Sequence, residues 1–204
     1  MNHLVQKRVY CPRCDLPQRS CICQCVRAVS HQVSLGILQH PAEQYQAKGT
    51  ARLAQRCLQD CRLWVGESLA DLADLQAWLA AKPTFLLFPV QDGQPTLSAC
   101  DVAKHFVPSE VQVLLLDGTW RKAFRLLQTN PPLQRLPRLA LHTQAASAYA
   151  IRKAPNAQSL STLEAIYYAL AEIEGDGAPF EGLRLALADF VAQRLAFTGQ
   201  RSAR

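Results

Sequence analysis

No apolar run in this 204-residue chain approaches the roughly 20 residues that a membrane-spanning helix needs, so a helical membrane protein is excluded and the chain reads as soluble. No Gly-x-Gly-x-x-Gly follows a strand pattern, which excludes a Rossmann dinucleotide turn. The pair in Gly175-Asp176-Gly177 reads as a helix-ending loop and not as a phosphate cradle. Repeats, runs of like charge and low-complexity tracts are absent, which leaves no solenoid, tail or flexible linker to account for. The first ten residues contain Lys7 and Arg8 and no apolar centre, so they do not read as a secretory signal. The expected compartment is therefore the cytoplasm, where thiols stay reduced.

Thiols are plentiful. Cys11, Cys14, Cys21 and Cys23 form two short chelating pairs suited to tetrahedral Zn²⁺. A closed set of four thiolates leaves no position for water, so the site reads as structural. A disulfide framework and unrelated buried cysteines are the alternatives, and reduced thiols argue against the first. Cys25 is a fifth thiol within reach and leaves the identity of the last ligand open. Cys57, Cys61 and Cys100 have no chelating spacing and read as small core residues.

The segment from Val111 to Arg125 carries an apolar run that ends in Asp117, followed at once by a helical pattern. A run apolar on both faces reads as a buried parallel strand, and its carboxyl end is where open α/β sheets place ligands. Trp120, Ala123, Phe124 and Leu127 recur at helical spacing and are expected to face the core, with Arg121, Lys122 and Arg125 on the other side. Asp117 reads either as a cap of that helix or as a functional carboxylate. Trp120 reads either as a surface for a base to stack on or as a wedge between helix and sheet. Farther on, Ser147, Tyr149, Arg152 and Lys153 occupy a short loop bounded by Pro155. Ser161 and Glu164 follow at capping-box spacing before an apolar helix. His40-Pro41 reads as a turn after a strand, with His40 and Glu43 able to line the same crevice.

Strand patterns at 33–39, 63–65, 84–88, 111–116 and 138–141 alternate with helical patterns at 49–59, 69–80, 99–106 and 119–127. Two more helices close the chain at 161–174 and 182–196. This predicts an α/β fold with a mostly parallel sheet and flanking helices, preceded by a small metal-binding knob at 1–30, with 31–204 as the main domain. The formal charge of +6 is concentrated: nine Lys/Arg against three acids from 1 to 62, and seven against Asp117 alone from 117 to 155. Two basic regions around one candidate site suggest a polyanion partner.

Asp117-Gly118-Thr119-Trp120 with Arg-Lys-Ala behind it resembles the signature of the DTW-domain family, the tRNA-uridine aminocarboxypropyltransferases. The resemblance runs through the chain in order: the cysteine cluster, Gln39-His40-Pro41, Leu87-Phe88-Pro89, the Asp-Gly-Thr-Trp turn, Ser147/Tyr149/Arg152 and Ser161-Thr162-Leu163-Glu164. Gly49-Thr50 departs from the expected Asn-Thr, and Ala148 stands where relatives are often basic. The resemblance implies a sheet like that of the SPOUT methyltransferases, with a knotted C-terminal half around S-adenosylmethionine. It implies transfer of the 3-amino-3-carboxypropyl group of that cofactor to N3 of a tRNA uridine, position 47 for the bacterial type, with release of methylthioadenosine. Asp117 and Trp120 are the expected catalytic residues. Thr119, Ser147, Tyr149, Arg152, Ser161, Thr162 and Glu164 are the expected cofactor contacts. Arg52, Arg56, Arg121, Lys122 and Arg125 are expected on the tRNA. A SPOUT-like RNA methyltransferase and a non-enzymatic zinc-bearing RNA-binding module are the alternatives, separated by the small-molecule product.

Overall fold

The apolar run before Asp117 lies near the middle of a six-stranded sheet. The computed structural model describes residues 9–89, 93–142 and 160–202, the last five by their backbone alone. The strands are β1 (Ser34–Gln39), β2 (Cys61–Val65), β3 (Thr84–Leu87), β4 (Thr96–Ser98), β5 (Gln112–Asp117) and β6 (Arg138–Ala140). Their order is β2-β1-β5-β3-β6-β4, and every pairing is parallel. The helices are α1 (Ala51–Cys57), α2 (Ala73–Ala81), α3 (Ala99–His105), α4 (Trp120–Thr129), α5 (Pro131–Gln134), α6 (Thr162–Glu174) and α7 (Glu181–Ser202).

Side chains alternate across β5, and this splits the core in two. Val113 and Leu115 join Leu35, Ile37 and Phe85 under α1, α3, α6 and α7. Leu114 joins Leu38 and Leu86 under α2, α4 and α5. Because both faces are covered, the strand has no polar face, which explains the unbroken apolar run. Gly36 in β1 marks a close approach: a Cβ there would meet the Trp78 ring at 2.7 Å.

The topology also fixes where a ligand crevice can open. The chain leaves β1 for α1 on one face and leaves β5 for α4 on the other. Adjacent parallel strands whose connections depart to opposite faces leave a gap at their carboxyl ends. Gln39 and Asp117 are register partners at that gap.

Among its described residues the cysteine segment has no regular element longer than the 3-10 turn Gln18–Ser20. Its apolar members Cys14, Ile22, Cys25 and Val29 belong to the same cluster as the sheet's α6/α7 face. Four side chains of the main body donate to its backbone carbonyls: Arg52 to Cys14 (3.1 Å), Arg56 to Arg13, Gln193 to Cys21 (2.9 Å) and Arg194 to Ser20 (3.1 Å).

The structure corrects three expectations. β4 adds a strand that the sequence pattern does not reveal, because a three-residue edge strand starting at exposed Thr96 carries no apolar run. Arg138 belongs to no basic surface: it is fully buried, donates to the carbonyls of Leu133 and Leu136, and is pushed below its usual pKa by burial. Cys100 is exposed at the start of α3 and does not pack in the core.

Candidate functional site

Asp117 is buried at the carboxyl end of β5, and both of its oxygens are held. Gln39 Nε2 donates to Oδ2 at 2.8 Å, and Thr162 Oγ1 donates to Oδ1. The main chain adds a third tie, His40 N–H to Asp117 O at 3.0 Å. Asp117 is therefore not the cap of α4: Thr119 holds that position and caps with no side-chain hydrogen bond. Gly118 makes the tight turn between them, since a Cβ there would meet Lys122 Cβ at 3.1 Å. A carboxylate fixed by two donors keeps free lone pairs and can accept a further N–H or O–H from a ligand. Gln39 Oε1 is buried and has no hydrogen-bond partner among the described residues. It is a second acceptor at the same strand ends.

The rim is built from a histidine–carboxylate contact and two ion pairs. His40 Nδ1 accepts from Ala42 N, capping the short turn Pro41–Glu43, and its Nε2 lies 3.0 Å from Glu67. The ring therefore carries its proton on Nε2, and His40 serves the turn. Lys122 Nζ pairs with the largely buried Glu43 at 2.7 Å, and Arg125 lies 3.6 Å from Glu67. Lys122 and Arg125 thus bind the start of α4 to the loops after β1 and β2. Arg121 is exposed.

The inner face of α4 is rotated from the predicted one. Ala123, Leu126 and Leu127 are buried, whereas Trp120 is 47 % exposed and Phe124 45 %. Trp120 touches the edge of Phe88 with ring centroids 6.1 Å apart. It is no wedge between helix and sheet. Two aromatics at i and i+4 therefore stand on the outer surface beside Arg121 and Arg125.

Ser161 and Glu164 form the capping box of α6: Glu164 N donates to Ser161 Oγ at 3.3 Å, and Ser161 N donates to Glu164 Oε2 at 2.7 Å. The box aims Thr162 at Asp117. Ser147, Tyr149, Arg152 and Lys153 fall within 143–159, outside the described residues. Gln39 is the site residue that sequence reasoning misses, even though it opens the Gln39-His40-Pro41 string. Nothing local announces its pairing with a residue 78 positions away.

The four cysteines fit a tetrahedral metal. Their sulfurs lie within 4.8 Å of one another, with Cys11–Cys23 at 3.8 Å and Cys14–Cys21 at 3.7 Å. Zn–S bonds of about 2.3 Å give tetrahedral S···S edges of about 3.8 Å. Cys25 is buried nearby and is not part of the set. The Cys14 and Arg13 amides hold the Cys11 thiol down to about 6, while burial pushes Cys23 up to about 12. A metal displaces the protons that such buried thiols keep. Asp15 turns the chain after Cys14 in the left-handed region (φ 54°), which aspartate tolerates better than most residues.

No helix among the described residues is long and apolar enough to cross a membrane. No solved structure matches the chain. Among curated proteins it is similar to tRNA-uridine aminocarboxypropyltransferase 2 of Mus musculus, 31% identical over 179 residues that cover 83% of this chain and 58% of the mouse protein. The protein of the same name from Drosophila melanogaster is 33% identical over 177 residues, 82% of this chain and 68% of the fly protein. The Arabidopsis thaliana tRNA-uridine aminocarboxypropyltransferase A is 24% identical over 201 residues, 86% of this chain and 76% of the plant protein. The DTW-domain model matches residues 8–195, from before the first cysteine to the last turns of α7, and the chain belongs to the DTW-domain family.

Proposed function

We propose that this chain transfers the 3-amino-3-carboxypropyl group of S-adenosylmethionine to N3 of a uridine in tRNA. The observation that carries the reading is the buried, doubly held Asp117 at the β1/β5 crevice, inside a family whose curated relatives are named tRNA-uridine aminocarboxypropyltransferases. The orphaned Gln39 Oε1 supports a ligand at the same place, since a buried acceptor without a donor is costly unless something fills it.

When bound, S-adenosylmethionine supplies an electrophilic γ-carbon beside a sulfonium whose departure leaves neutral methylthioadenosine. In the balanced step the N3–Cγ bond forms, the Cγ–S bond breaks and the N3 proton is lost. Asp117 accepts the hydrogen bond of N3–H and receives or relays that proton. Gln39 and Thr162 fix its carboxylate in one orientation, so the acceptor is in place before the base arrives. Trp120, exposed beside Phe88, offers a face for a base to stack on. Thr119 and Thr162, with Ser147, Tyr149 and Arg152, hold the cofactor, and Arg152 pairs with its carboxylate. Ser161 and Glu164 serve the pocket by capping α6. Arg121, Lys122 and Arg125 on α4, and Arg52 and Arg56 on α1, supply positive charge for the phosphates.

Residues 1–30 form a structural Zn²⁺ segment and 31–204 the catalytic domain, SPOUT-like and knotted in its C-terminal half. The enzyme is of the bacterial type, works in the cytoplasm and modifies position 47. The test is nucleoside mass analysis of tRNA from cells with and without the gene, paired with assay of the small product. Methylthioadenosine and an aminocarboxypropyl-uridine that vanishes with the gene are expected. S-adenosylhomocysteine would turn the protein into a methyltransferase, and no product would leave a binding module.

A further inference from the structure

A cleft of about 570 Å³ opens between the cysteine segment, the loop after β1 and α7. That volume lies within the roughly 300–1,000 Å³ usual for small-ligand sites. One wall comes from residues between the two cysteine pairs, among them Asp15 and Leu16, and the other from Tyr45 and Gly49, with Arg194 contributing from α7. Tyr10 and Tyr45 line it and are 49% and 66% exposed, and neither ring packs on another ring among the described residues. Aromatic side chains lining a concave surface are a usual feature of ligand sites.

We propose that this cleft binds one unpaired nucleotide of the RNA substrate, with its base stacked on Tyr45 and Tyr10, and that the metal acts in RNA binding by shaping the cleft's wall. The inference rests on the function proposed above and adds a second point of attachment for the same RNA. Charge favours that occupant: exposed Arg13, Arg19 and Lys48 flank the lining residues in the chain, within a region of nine cations and three acids. Asp15 is the acid in the lining. It repels phosphate, but its acceptor oxygens suit a ribose 2′-hydroxyl or a base amine, which selects RNA. Stacking on tyrosine tolerates any base, so the cleft contributes affinity and leaves sequence to other parts of the surface.

The cleft is also wired to the crevice. Gly49 leads into Thr50, whose Oγ1 accepts from Leu163 N at 3.4 Å, and the neighbouring Thr162 donates to Asp117. The opposite wall depends on the cysteines, since Asp15 and Leu16 lie between Cys14 and Cys21. An RNA seated in the cleft is thereby held one loop away from Asp117.

The test uses the zinc-loaded full chain and whole tRNA. Tyr45→Ala and Tyr10→Ala should each raise the tRNA Kd by about tenfold. Tyr45→Phe and Tyr10→Phe should bind as wild type, and S-adenosylmethionine affinity should stay unchanged in all four. In parallel, tRNA carrying 4-thiouridine is photo-crosslinked to wild-type protein, and the adducts should map to peptides spanning 10–22 and 45–49. Chelation should abolish those adducts before it weakens cofactor binding. Wild-type tRNA affinity in the folded double alanine variant, cofactor affinity lost alongside it, or adducts confined elsewhere would each overturn the proposal. Protein that gives the mapped adducts yet forms no methylthioadenosine would refute the reaction and uphold the cleft.

Discussion

At the residue scale the site turns on one carboxylate and the two side chains that hold it. Asp117→Asn can keep the geometry, because Thr162 still finds an oxygen and Gln39 can rotate its amide to present Oε1 to the new NH₂ group. The asparagine cannot take a proton. Turnover should therefore fall on the order of 10²–10⁴-fold, while the melting temperature and cofactor affinity barely move. Single-turnover assays with calorimetric titration of the cofactor measure both; near wild-type turnover in folded protein would remove Asp117 from catalysis. Gln39→Leu should act differently. It strands a buried carboxylate oxygen and should cost about 1–3 kcal/mol of stability, read by urea denaturation. Asp117 stands out in the sequence because an acid ends an apolar run. Gln39 does not, because its role depends on β1 and β5 lying side by side, and the chain between them also builds β2, β3 and β4.

Among the elements, α4 shows what periodicity can and cannot supply. A 3.6-residue repeat finds the helix, but Trp120 and Phe124 share a stripe with Ala123 and Leu127, and hydrophobicity alone assigns all four inward. The strand end and the Gly118 turn set the rotation instead, and they turn the two aromatics outward. If that outer face meets RNA, Arg121→Gln with Arg125→Gln should weaken tRNA binding and shrink the slope of log K against log salt by up to about 0.9 for each phosphate no longer neutralised. Binding titrations across a salt series give that slope; an unchanged slope would place tRNA elsewhere. The cysteine segment is legible as a four-thiol cluster from spacing alone. That Arg52 and Arg56 fasten it to α1 is not, since a guanidinium that binds a carbonyl and one that binds a phosphate look alike in sequence. Arg52→Ala should accordingly raise hydrogen exchange across 9–30, detected by mass spectrometry, and leave β1 and β5 protected.

For the whole molecule, alternating patterns reveal the parallel sheet because covered strands must be apolar on both faces. The strand order is illegible, since it is decided by which helix faces fit together. Packing also determines which charges reach the surface: Arg138 counts toward the formal charge of +6 yet lies wholly inside. The hydrogen bonds from Gln193 and Arg194 to Cys21 and Ser20 join residues at least 172 positions apart. On the ribosome that separation becomes time. At about 5–20 residues per second, the cysteines wait roughly 10–35 s after emerging before α7 can dock on them. During that interval the four thiols of a newly made chain lack the hydrogen bonds that α7 later gives to Cys21 and Ser20, so the segment must hold its shape without them.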